Sequence, residues 1–107
     1  VIEKRRHART SIDLTVTFGL KGSDARASGV GKDISLGGMF VETDAPAAFG
    51  AEVVVRVRLR TPSSGEQDFD LPAVVRWVRS DGMGIQFGLL GALETHAIID
   101  LGGDRSQ

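Results

Sequence analysis

"EVVVRVRLR", residues 52–60, decides the fold. Val53, Val55, Val57 and Leu59 alternate with Val54, Arg56, Arg58 and Arg60. Strand side chains point to opposite faces with a period of two, so this segment is a strand with one face in a core and the other in water. Strictly alternating strands with one wet face belong to antiparallel sheets.

The same pattern recurs on both sides. Upstream, "SIDLTVTF" places Ile12, Leu14, Val16 and Phe18 on one face, and "GLKGSD" is a glycine-punctuated turn. "ARASGVGKDIS" reads as a second strand, with Gly29 and Gly31 marking a bulge, a barrel corner or a close approach. "MFVET" is a short third strand, and "DAPAAFG" is a loop containing Pro46. Downstream of the turn "TPSSGEQ", "DFDLPAVVRWVRS" carries Phe69, Leu71, Ala73, Val75 and Trp77 in one phase. That phase assigns Trp77 to the core rather than to stacking on a ligand. Arg76 and Arg79 flank it as strand arginines, solvated or within reach of a phosphate. After "DGMG" comes a last short strand, "IQF". In "GLLGALETHAIIDLGG", Leu89, Leu90, Leu93, Ala97 and Ile98 recur at helical spacing, and Gly102–Gly103 suit a stop.

Six short strands and one helix predict an all-β domain: a small six-stranded antiparallel barrel with a C-terminal α-helix. Closing the sheet removes its exposed edges. The expected organisation is a flexible N-terminal arm at 1–11, the barrel with its closing helix at 12–103, and a tail at 104–107. The 107 residues suit one modest core.

Composition narrows the function. The net charge of -1 argues against a generally basic nucleic-acid binder, so anion binding must be local. A barrel for single-stranded nucleic acid would need several exposed aromatics, whereas only 6% of residues are aromatic and there is no tyrosine. The absence of cysteine removes disulfides, thiolate metal sites and a cysteine nucleophile. No apolar run approaches the ~18 residues of a membrane helix and no signal peptide is visible, so a cytoplasmic protein without membrane insertion is expected.

Catalytic patterns fail on inspection. "GVGKD" lacks the P-loop glycine, with Arg26 in its place, and has Asp33 where Ser or Thr is needed. "GMGIQFG" has Phe87 where a dinucleotide fingerprint needs glycine. His7 and His96 lack neighbouring partners for a metal site or a triad, and no G-x-S-x-G is present. Neither an enzyme nor a cofactor is expected.

Two segments remain. "KRRHAR", residues 4–9, holds four of the 13 lysines and arginines. The planar guanidinium fork matches phosphate oxygens and the O6/N7 edge of guanine. Alone, the cluster reads equally as a solvated lead-in or a patch for RNA or acidic lipid. The second segment is "DISLGG", residues 33–38. In an extended chain Asp33 and Ser35 share a face while Ile34 and Leu36 point to the core. Asp33 would accept a guanine's N–H donors, and Gly37–Gly38 would permit positive φ and a close ligand approach. Alone, this segment reads equally as a strand end with ordinary turn residues.

Taken together, Arg5-x-x-x-Arg9 before the first strand and Asp33-x-Ser35-x-x-Gly38 at the close of the second resemble the PilZ domain family. "KDISLGGMFVET", "VVRWVRSDGMGIQF" and the closing helix extend the resemblance over most of the chain. The resemblance implies a PilZ-type barrel and a receptor for the bacterial second messenger cyclic di-GMP. It implies that Arg5 and Arg9 clasp guanine edges and phosphates, that Asp33 and Ser35 hydrogen-bond the ligand, and that Gly38 with Gly37 keeps the turn open. Arg6 lies outside the strict pattern and would be a further phosphate contact, and the cationic Lys4 before the motif is compatible with a stacked ligand pair. It also implies a protein effector or adjacent domain that reads the arm's movement. The alternative is a PilZ-like adaptor in pilus or motility regulation that binds no nucleotide; such adaptors usually lack the arginines or the Asp/Ser/Gly pattern, and this chain keeps both.

Overall fold

The computed structural model describes residues 13–61 and 65–103. The elements are β1 (Leu14–Leu20), β2 (Ala27–Lys32), β3 (Gly38–Glu42), β4 (Glu52–Thr61), β5 (Gly65–Arg79), β6 (Gly82–Phe87) and α1 (Ala92–Gly103). The strands form the expected closed antiparallel barrel, and their order around it is β1-β2-β3-β6-β5-β4. The expected arm, including Lys4, Arg5, Arg6 and Arg9, lies outside the described residues, as does the expected tail.

The core is the inward phase of the strands. Val53, Val55, Val57 and Leu59 of β4 are buried, as are Phe69, Leu71, Ala73 and Val75 of β5 and Met83 and Ile85 of β6. Their partners on β1 and β3 are Val16, Phe18, Met39 and Val41. On the wet face, Arg56 faces Asp70, Arg58 faces Asp68 and Arg60 faces Glu66 in register. The best-formed pair is a fork, with Arg56 Nε donating to Asp70 Oδ1 at 2.8 Å and Nη2 donating to Oδ2 at 3.1 Å. That bond holds the Asp70 carboxyl below its ordinary range and raises the Arg56 guanidinium.

Helix α1 packs against β4 and buries Ala97 and Ile98. It starts later than the apolar spacing suggested. Gly88 N donates to Pro72 O at 2.7 Å, which continues the β5 pairing past β6. Leu89 is therefore 96% exposed in the connection, and Leu93 is exposed on the helix. No helix among the described residues is long and apolar enough to cross a membrane.

One irregularity shapes the outer surface. Val75 pairs with Ile85, but the next pair is Trp77 with Gly84, so Arg76 is an extra residue in β5. A β-bulge reverses the facing of everything after it. Trp77 leaves the core phase of Phe69, Leu71, Ala73 and Val75 and becomes 44% exposed on the outside. The expectation of a core Trp77 is thus overturned.

Candidate functional site

Asp33 follows directly on the last residue of β2 and has φ 54°, the one non-glycine positive φ among the described residues. Aspartate tolerates the left-handed region better than most side chains, yet the conformation still costs about 1 kcal/mol or more. It ends the two-residue alternation. Asp33 is exposed and Ile34 is fully buried, while Ser35 turns inward and is only 6% exposed. Asp33 and Ser35 therefore do not share a face as an extended chain would require, because the backbone flips between Lys32 and Ile34.

The turn's own hydrogen bonds account for Ser35. Its N–H donates to Gly38 O at 2.9 Å, its hydroxyl reaches the same carbonyl at 3.4 Å, and its Oγ accepts from Gly37 N at 3.2 Å. Gly37 O accepts from Phe87 N at 2.9 Å, which ties the turn to β6. Gly37 and Gly38 are not among the positive-φ glycines, which are Gly22, Gly50 and Gly65. Gly38 is required for proximity instead: a Cβ there would collide with the carbonyl of Ile85.

Asp33 lines the mouth of a cleft of about 230 Å³ on the outside of the barrel, together with Met39, Phe40, Trp77, Arg79, Gly84 and Ile85. Three adjacent strands build its floor. Phe40 of β3 and Trp77 of β5 both pair with Gly84 of β6. The missing side chain lets the two rings meet across it, with centroids 5.4 Å apart and planes 16° apart. A Cβ on Gly84 would collide with the Trp77 indole. The guanidinium of Arg79 lies over both rings, 4.7 Å from the Phe40 centroid and 5.2 Å from that of Trp77. Such cation–π contacts form because the ring faces carry negative charge.

Lys32, the residue before Asp33, holds the root of the N-terminal segment. Its ammonium lies 3.4 Å from Asp13 Oδ1 and 3.9 Å from Glu42 Oε1. The chain upstream of Asp13 thus starts beside the residue that precedes Asp33. Sequence reasoning identified Asp33 but missed Phe40 as a floor residue. The signal available was the alternation of glycine in "GMG", which leaves room for aromatics on neighbouring strands.

A larger concavity of about 380 Å³ opens between the β1–β2 turn and the 45–51 loop. Apart from Arg26 it is lined by apolar residues and glycine, including Leu20, Ala45 and Ala48, and it includes none of the motif residues. The smaller cleft has the acid, the aromatic floor and the cation, so it is the candidate site.

This architecture is a small closed β-barrel domain carrying a polar turn beside an aromatic cleft. The chain belongs to the PilZ domain family, whose sequence model matches residues 3–100. No curated protein matches it. Among solved structures it is similar to the Bacillus subtilis inhibitor of motility MotI/DgrA, with a TM-score of 0.79 and 21% identity over 98% of this chain and 52% of that one. It is also similar to the PilZ domain of CeSA from a cellulose-synthesizing bacterium, with a TM-score of 0.70 and 20% identity over 92% of this chain and 98% of that one. A third similar structure is the K. pneumonia MrkH–c-di-GMP complex, with a TM-score of 0.64 and 19% identity over 100% of this chain and 56% of that one. The chain spans about half the length of MotI/DgrA and of MrkH.

Proposed function

We propose that this domain is a cyclic di-GMP receptor in which the N-terminal arm closes over ligand held at the Asp33 cleft. The observation that carries the reading is the placement of Asp33: held in a strained conformation at the mouth of an aromatic-floored cleft, beside the anchored root of the arginine segment. Arg9 and Arg5 lie four and eight residues before Asp13. An extended chain spans at most ~3.3–3.6 Å per residue, so the Cα atoms of Arg9 and Arg5 can be no farther than about 14 and 29 Å from that of Asp13.

The chemistry is complementary. An ionised Asp33 accepts from the N1–H and N2–H donors of guanine, whereas adenine presents an acceptor at N1. Arginine forks take the O6/N7 edge and the phosphates. The Phe40–Trp77 pair, with the Arg79 guanidinium over its rings, gives the cleft an aromatic and cationic wall for a purine to pack against. Ser35, Gly37 and Gly38 hold the turn that presents Asp33, with the Ser35 hydroxyl acting from beneath. A micromolar affinity corresponds to about 8 kcal/mol, within reach of two bidentate arginines and one carboxylate after the cost of ordering the arm. Closure of residues 1–11 then changes the surface shown to a protein effector or an adjacent domain. In this reading the domain binds and relays, without catalysis.

Trp77 is the single tryptophan and supplies the test. Titration with cyclic di-GMP should change its emission saturably in the micromolar range, while cyclic di-AMP and GTP at equal concentrations should not. An unchanged emission together with no calorimetric heat would contradict the reading.

A further inference from the structure

Two arrangements of arginine and acid occur on the outside of this barrel. Arg56, Arg58 and Arg60 each face an acid directly across the β4–β5 ladder, so their partners are set by strand register. Arg79 does not follow that rule. It pairs in register with Gly82, and its carboxylate partner is Asp81, in the turn that follows β5. Arg79 Nε donates to Asp81 Oδ1 at 3.2 Å and Nη2 donates to Oδ2 at 3.4 Å. The turn is itself pinned to the end of β3, because Thr43 N donates to Asp81 O at 3.0 Å.

The guanidinium lies over the Phe40 and Trp77 rings and is hydrogen-bonded to Asp81, so contacts on two sides restrain it. It also lines the same cleft as Asp33. Arg76, the neighbouring arginine, spends its Nε on the Gln86 amide at 2.6 Å and does not line that cleft. A cation held in this way has already lost much of its rotamer freedom, and the N–H donors not directed at Asp81 are left for an anion.

We infer that Arg79 is a further anion-binding residue of the cleft, outside both the Arg5/Arg9 and the Asp33–Gly38 segments, and that it takes a phosphodiester oxygen of the cyclic dinucleotide held there. The inference rests on the cyclic di-GMP reading and deepens it. Arg79 is already in place on β5 before ligand comes. The phosphate contact is thus built partly into the rigid barrel.

The test is calorimetric titration of the full chain with cyclic di-GMP at low and high salt, comparing wild type, Arg79→Gln and Arg79→Lys, with thermal melts run alongside. Calorimetry is used because Arg79 touches Trp77 and its loss would disturb the emission directly. Arg79→Gln should weaken binding by about ten-fold or more and make it less salt-sensitive, since one screened phosphate contact is gone. Arg79→Lys should bind with intermediate affinity and retain the wild-type salt sensitivity, and it keeps the test open should Arg79→Gln fail to fold. Wild-type affinity and salt sensitivity in Arg79→Gln would overturn the inference while leaving the receptor reading intact. A weakened Arg79→Gln with unchanged salt sensitivity would also overturn it, because the arginine would then act through packing alone. Failure of the wild-type chain to bind would remove the receptor reading and this inference together.

Discussion

Gly38→Ala is expected to destabilise the barrel by about 3 kcal/mol, at the upper end of what overpacking costs. The added Cβ would lie within the van der Waals envelope of the Ile85 carbonyl oxygen, 3.0 Å from Ile85 C and 3.1 Å from Gln86 Cα. All three are backbone atoms of β6, so no side chain can swing away to relieve the contact. The strands must part where Gly38 pairs with Gln86. Parting them strains the bond from Phe87 N to Gly37 O and the bond from Ser35 N to Gly38 O. For a domain of this size a loss of ~1 kcal/mol lowers the melting temperature by about 4–8 °C, so a fall of roughly 12–24 °C is expected. The turn that presents Asp33 hangs from the same bonds, so ligand affinity should fall even at temperatures where the variant is folded. A melting temperature within two or three degrees (~2–3 °C) of wild type would show that β3 and β6 can separate cheaply.

The second large effect concerns Arg9. Arg9→Ala should abolish calorimetrically detectable cyclic di-GMP binding and leave the melting temperature of the ligand-free domain unchanged. A charge-assisted hydrogen bond contributes about 1.5–3 kcal/mol, so losing a bidentate pair raises a micromolar dissociation constant by about a hundred-fold or more. Arg9→Lys keeps the charge and loses the fork, and should bind weakly. Retained wild-type affinity in Arg9→Ala would remove the arm from the site. The two variants separate causes: one damages the barrel that presents Asp33, the other leaves the barrel whole and removes a ligand contact.

The sequence was legible wherever structure depends on neighbours along the chain. Alternation located β4 and the first part of β5, because a strand with one wet face displays its period directly. It failed at Trp77, because the extra residue Arg76 is accommodated only once β6 lies alongside, and no local feature of "VVRWVR" reveals the register of its partner. It failed again at Ser35. Counting by twos assumes an extended backbone, and the left-handed Asp33 breaks the count. The glycines of "DISLGG" read as a source of positive φ, but Gly38 serves the close approach of β6, a contact between strands remote in sequence. The aromatic floor was hidden for the same reason: Phe40, Gly84 and Trp77 come from three separate strands and meet only across the closed sheet. Asp33 and the arginine cluster were visible because their chemistry, unlike their geometry, is local.

Backbone amide hydrogen exchange with and without cyclic di-GMP probes the proposed closure most directly. Saturating ligand should slow exchange across residues 4–12 and 33–38 together and leave the buried amides of β4 unchanged. Ligand binding accompanied by no protection anywhere in residues 4–12 would contradict the account.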